Sequence, residues 1–146
     1  MMKAIVLLSL ALSAVAQTDK WVIRCETSDG NPSSGDVTEM INNLKAEEAT
    51  KTFCVVGSGG NDCSPIWRQY SNGNSAAFQI CGANCGGDFR CLQNTGPGTC
   101  PGGQCSGMHP GMVASLLNEI QQTCQSNGKV GGYADFPAGD LKLIHS

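Results

Sequence analysis

The 146 residues carry nine basic and twelve acidic side chains, a net charge of −3, with the basic residues scattered along the chain. Nothing resembles the Lys/Arg cluster that holds nucleic acid or an anionic membrane surface, so neither partner is expected. Aromatic residues are only 5% of the chain, few for filling a core, whereas nine cysteines offer a second way of holding it together.

The first sixteen residues have one lysine, Lys3, an apolar run from Ala4 to Leu12 broken only by Ser9, and small residues at Ala14 and Ala16. This is the pattern of a secretory signal, with cleavage expected after Ala16. The run is shorter than the ~20 apolar residues of a membrane-spanning helix, and no stable membrane insertion is expected. Residues 17–146 are then one domain with a charge of about −4 once Lys3 is lost.

Residues Trp21 to Thr27 read as a strand, with Ile23 and Cys25 on one face and Val22, Arg24 and Glu26 on the other. Turn chemistry follows from Ser28 to Asp36. Val37, Met40, Ile41 and Leu44 then recur at helical spacing, with Ser33, Ser34 or Asp36 as N-cap and Glu39 placed for a capping box with Asp36. Residues Thr52 to Pro65 hold a short apolar run and a glycine-rich loop between Cys54 and Cys63, read as a loop closed locally. No Lys-Ser pair follows that loop, so it is not a phosphate cradle.

Residues Ile66 to Cys81 read as a hairpin turning at Asn72-Gly73, the dipeptide suited to the two positive-φ positions of a type I′ turn. On its return arm Ala76, Phe78 and Ile80 share one face, and Ala77, Gln79 and Cys81 the other. The stretch from Cys81 to Cys105 reads as a cysteine-rich loop insertion. A second amphipathic helix begins at Pro110, carries Val113, Leu116, Leu117, Ile120 and Cys124 on its apolar stripe, and stops before Asn127-Gly128. A terminal hairpin turns at Pro137 to Asp140 and ends on a strand from Leu141 to His145. The order strand, helix, strand, strand, helix, strand predicts an α+β fold. Its expected form is a ferredoxin-like split βαβ sandwich, an antiparallel sheet with both helices on one face, stapled by disulfides.

All nine cysteines, Cys25, Cys54, Cys63, Cys81, Cys85, Cys91, Cys100, Cys105 and Cys124, follow the leader, and in an oxidising compartment eight of them should pair. The ninth leaves the chain a monomer with a spare thiol, or a dimer through it. The spacings from Cys81 to Cys105 lack a repeated Cys-x2-Cys knuckle and enclose no histidine, so neither a metal nor another cofactor is expected. A helix from Pro110 to Thr123 is about 20 Å long, beyond the ~7 Å between bridged Cα atoms, which excludes a Cys105–Cys124 bridge. Cys25 with Cys81, on neighbouring strands of the split βαβ order, and Cys54 with Cys63, closing a short loop, are the expected pairs.

His109 and His145 are the only histidines, and with a carboxylate such as Glu119 or Asp135 they are the groups a small ribonuclease-like hydrolase would use. No Gly-x-Ser-x-Gly nucleophile motif is present. Trp67, Arg68 and Tyr70 on the first hairpin arm form a candidate interaction surface, since these residue types supply most interface hot spots; the simpler alternative is that the rings pack over the sheet.

The stretches Arg24 to Leu44, Ser71 to Gly82, Val113 to Gly132 and Leu141 to Ser146 resemble the small secreted cysteine-rich proteins of filamentous fungi. In layout they also resemble killer-toxin-like and necrosis-effector-like proteins. The segment from Cys85 to Cys100 is extra length relative to that pattern. The resemblance implies a released protein acting by binding on a host or competing organism, through a protein or cell-surface target, as effector or toxin. An extracellular inhibitor or carbohydrate-binding module is a further alternative.

Overall fold

The computed structural model describes residues 21–47, 53–56, 62–64, 66–72, 75–82, 104–136 and 139–145. In chain order its elements are β1 (Val22–Cys25), α1 (Ser34–Ala46), β2 (Phe53–Val56) and β3 (Asp62–Cys63). A 3₁₀ turn (Gln69–Ser71) precedes β4 (Ala76–Gly82), β5 (Gln104–Met108), α2 (Pro110–Cys124), β6 (Gly132–Phe136) and β7 (Gly139–His145). The fold is α+β. One antiparallel sheet has the order β1-β6-β7-β4-β3, and β2 pairs with β5 in a separate two-stranded sheet.

α1 forms where its apolar spacing places it. Ser33 is the N-cap, its hydroxyl accepting from the Asp36 backbone N–H at 3.1 Å, and Val37, Met40, Ile41 and Leu44 are buried. Glu39 does not close a box with Asp36: it accepts from Asn72, while the Asp36 carboxylate accepts from the Ser75 hydroxyl, tying the start of α1 to the start of β4. α2 begins at Pro110, whose missing N–H costs nothing in a first turn. It buries the predicted stripe of Val113, Leu116, Leu117, Ile120 and Cys124.

The helices pack against each other and on one face of the large sheet. Gln121 Nε2 donates to Ser34 O and to Thr38 Oγ1, so the end of α2 lies beside the start of α1 and the two run antiparallel. Beneath them the sheet contributes Ala76, Phe78, Ile80, Ala134, Phe136, Leu141 and Leu143, all buried. Phe78 stands opposite Leu143 and Ile80 opposite Leu141, so the alternation read along β4 and β7 meets in register. Each such side chain stabilises the fold by about 1.5–3 kcal/mol through burial.

Asn127-Gly128 does more than end a helix. Both residues have positive φ, and Ser126 and Lys129 exchange both backbone hydrogen bonds across them, the signature of a tight primed turn. This turn delivers the chain to β6.

The strand order departs from the split βαβ expectation. That order would seat the first strand inside the sheet, next to the strand from Ala76. Instead β6 and β7 occupy the interval, β7 lies against β4, and β1 is an edge strand paired with β6. The apolar run at Phe53, read as part of a locally closed loop, is instead the strand β2, paired outside the main sheet with β5, which begins within the stretch expected to be loop.

The bridges follow from this order. Cys25 is bonded to Cys124, joining β1 to the end of α2, and Cys63 to Cys81, directly opposite each other across β3 and β4. Both expected pairs are therefore corrected. With three strand spacings of about 4.8 Å between β1 and β4, Cys25 and Cys81 are too far apart to bond, and Cys63 is taken by Cys81 rather than Cys54. Cys54 and Cys105 lie on β2 and β5, with side chains outside the described residues, as are Cys85, Cys91 and Cys100.

Candidate interaction site

The hairpin arm expected from Ile66 to Tyr70 is only briefly a strand. Trp67 exchanges two backbone hydrogen bonds with Phe78, at 3.0 and 3.3 Å, and two residues later the chain coils into the 3₁₀ turn. Asn72 ends that turn in the left-handed region, at φ 49°, as its place in an Asn-Gly turn predicts; Gly73 is outside the described residues. The Ser71 hydroxyl donates to Ala76 O at 2.6 Å and closes the turn onto β4.

This winding turns the aromatic rings inward. Tyr70 is 3% exposed and meets Phe53 edge-on at 5.6 Å, and the half-buried Trp67 stacks on Phe78 at 5.0 Å. Tyr70 belongs to the core cluster around Phe53 and Phe78, and Trp67 packs against that cluster. Of the three residues expected to form a surface, only Arg68 is exposed.

What the turn does present is a depression of about 300 Å³ between itself and the C-terminal end of α1. Asn43, Ala46, Glu47, Gln69, Tyr70 and Asn72 line it. Asn43 Nδ2 donates to Tyr70 O at 2.7 Å, and Asn72 Nδ2 donates to Glu39 Oε1 at 2.5 Å. Two side-chain amides thus pin the turn to the helix. The sequence gives no sign of this site, because Asn43 and Glu47 read there as the polar face of a helix and Gln69 and Asn72 as a hairpin arm and its turn. Only the docking of one on the other makes a cleft.

The two histidines are not brought together. His109 is the N-cap of α2, its Nδ1 accepting from the Met112 backbone N–H at 3.2 Å. His145, at the far end of β7, stands opposite Ala76, next to the Ser75 that donates to Asp36 at the start of α1. Since Gln121 marks that end on α2, the histidines are separated by about 18 Å of helix axis. The carboxylates considered with them are engaged elsewhere: Glu119 accepts from Trp21 Nε1 at 2.6 Å, and Asp135 pairs with Arg24 at 2.8 Å.

Comparison with family models, with curated proteins and with solved structures finds no match. The chain's own chemistry is therefore what bears on function. Among the described residues no three His, Cys, Asp or Glu side chains stand together as metal ligands, and no helix is long and apolar enough to cross a membrane. Two disulfides in a cysteine-rich chain are consistent with an extracellular protein.

The face of the sheet turned away from the helices carries charged side chains on β6 and β7. Asp135 and Asp140 stand opposite each other on β6 and β7, and Lys142 Nζ approaches Asp140 at 3.8 Å. Burial pushes the Asp140 carboxyl above the usual carboxylate range. Lys142 opposes this, and Asp135 and Glu26 add to it. Asp140 Oδ1 is buried without a hydrogen-bond partner among the described residues. At the start of α1 the opposite holds: hydrogen bonding from the Ser75 hydroxyl lowers the Asp36 pKa, with Ser33 and Lys129 assisting.

Proposed function

We propose that this chain is a secreted effector or killer-toxin-like protein that acts by binding a target in a host or a competing organism. The observation that carries this is the pair of bridges, Cys25–Cys124 and Cys63–Cys81, tying both sheet edges of a small α+β domain behind a leader-like N-terminus. Bridges of this kind form in oxidising compartments and let a small domain persist where it has no chaperones. The separation of His109 from His145, and the engagement of Glu119 and Asp135 in other bonds, favour contact over hydrolysis as the mode of action. The resemblance to small cysteine-rich fungal proteins points the same way.

The test uses the oxidised mature chain, residues 17–146, applied to plant tissue and to cultures of competing fungi, beside the same chain reduced and alkylated. Necrosis, altered defence or growth inhibition by the oxidised form alone is the expected result. RNA cleavage that disappears in a His109→Ala, His145→Ala double variant would overturn the proposal in favour of a hydrolase.

A further inference from the structure

We infer that β1 is a pairing edge for a second copy of this chain, the two β1 strands running antiparallel about a twofold axis at Cys25 and joining two sheets into one. The backbone comes first. Glu26 N–H donates to Gly131 O at 3.0 Å, so in the β1–β6 register Val22, Arg24 and Glu26 are the residues whose N–H and C=O face β6. Ile23, Cys25 and Thr27 alternate with them and turn their backbone groups outward, away from the sheet. Those outward groups have no hydrogen-bond partner among the described residues.

The edge is open on both faces. Val22 is 52% exposed and the Arg24 side chain 55% on one face, and Cys25 stays exposed on the other although it is bonded to α2. The pairing of β1 with β6 runs without a bulge, and no proline interrupts the strand, so two devices that keep strand edges apart are missing. The far edge of the sheet, β3, has only two residues and packs beside β2.

Charge selects the occupant. Arg24 and Glu26 stand two apart on the same face of the strand, and charges on an edge strand repel most partners. A reversed copy of the same strand is the exception. Twofold pairing that keeps each face on its own side must centre on a single residue. Centring on Arg24 opposes two guanidiniums, and centring on Ile23 sets Arg24 against Val22. Centring on Cys25 sets Arg24 of each copy against Glu26 of the other, giving two ion pairs, while Ile23, Cys25 and Thr27 exchange their outward backbone hydrogen bonds. Arg24 Nε holds Asp135 at 2.8 Å, which leaves its two Nη groups for the carboxylate of the second copy. This pairing goes beyond the proposed function and does not depend on which organism is the target.

Sedimentation equilibrium of the oxidised mature chain, from micromolar to millimolar concentration, should show monomer and dimer in an equilibrium that reverses on dilution. The protein should run as a monomer in SDS without reductant. Arg24→Glu and Glu26→Arg should each weaken the dimer by about tenfold or more, since each sets two pairs of like charges face to face. The Arg24→Glu, Glu26→Arg double variant should return it to within about threefold of the parent. That double variant still turns a carboxylate toward Asp135, so recovery reports the contact between copies and not the Arg24–Asp135 pair. Amide hydrogen exchange gives a second reading. The Ile23, Cys25 and Thr27 amides should gain protection as concentration rises, while those of Arg24 and Glu26, already turned to β6, should not. The pairing is overturned by a monomer at every concentration, which would leave the edge to a foreign strand, or by a double variant no better than the single ones. A dimer that survives SDS until reduced, or protection gained only away from β1, overturns it equally.

Discussion

Cys25 and Cys124 are 99 residues apart in sequence and bonded to each other, the edge strand β1 to the last residue of α2, with Cα atoms 5.1 Å apart. The second bridge, Cys63–Cys81, spans only 18 residues. Restriction of the unfolded chain grows with the logarithm of the loop, giving about 4–5 kcal/mol for a loop of ~100 residues and about 3 kcal/mol for one near 20. Replacing both Cys25 and Cys124 by alanine should therefore lower stability more than replacing Cys63 and Cys81. Urea unfolding of the two double variants checks the order, and a larger loss from the shorter loop would contradict it.

The two perturbed carboxylates pull the pH dependence in opposite directions. Asp140 is raised in the folded chain by burial, so folding favours its protonated form: that contribution is full below the unfolded pKa of about 3.9 and is lost as pH rises through the folded value. Asp36 is lowered, so its contribution is present above the unfolded pKa and is lost as acid is added through the folded value. Asp140→Asn should raise the melting temperature at pH 7, with the gain fading toward pH 3. Asp36→Asn should lower it at pH 7, with the loss fading over the same range. Thermal melts of the three proteins from pH 3 to 8 provide the measurement; a gain from Asp140→Asn that persists at pH 3 would refute the assignment to charge.

Both helices and the faces of β4 and β7 were legible because their signals are local: apolar residues recur at the period of the element, and Asn-Gly pairs mark the left-handed positions Asn72 and Asn127. β5 was not, since Gln104 to Met108 contains glycine and serine and no β-branched residue, and its pairing with β2 comes from a partner some fifty residues away. Strand order failed for a related reason. Periodicity says which face of β1 is buried and nothing about which strand lies beside it; the incorrect Cys25–Cys81 pair followed from the incorrect neighbour, and the incorrect Cys54–Cys63 pair from closeness in sequence, where the pairing of β3 with β4 gives Cys63 to Cys81 instead. The depression beside the 3₁₀ turn depends on a tertiary contact, Asn43 to Tyr70 O, that no spacing encodes.

Gly132 opens β6 at φ 153°, facing Cys25 across the β1 ladder, and a Cβ there would lie 2.4 Å from Arg24 O. Backbone cannot yield as a flexible side chain would, so the strands would have to part beside the Cys25–Cys124 bridge. Gly132→Ala should cost about 2–3 kcal/mol, read as a shift in the urea midpoint. Gly30→Ala serves as control: its added Cβ would come no nearer than 3.8 Å to another residue, the Ser28 hydroxyl, and stability should change little.

His109 offers the clearest separation of a structural from a chemical role. Its Nδ1 accepts the Met112 N–H and so satisfies one of the orphan donors in the first turn of α2. A cap can be replaced by any short acceptor, whereas a general acid or base cannot. His109→Ala should cost about 1 kcal/mol, and His109→Ser or His109→Asp should restore it, the aspartate also favoured by the positive end of the helix. Unfolding curves of the three variants measure this directly, with the toxicity or tissue response recorded on the same preparations. If serine recovers both stability and biological effect, the residue is a cap. If stability returns and the effect does not, the imidazole has a chemical task that its position at the helix start leaves room for.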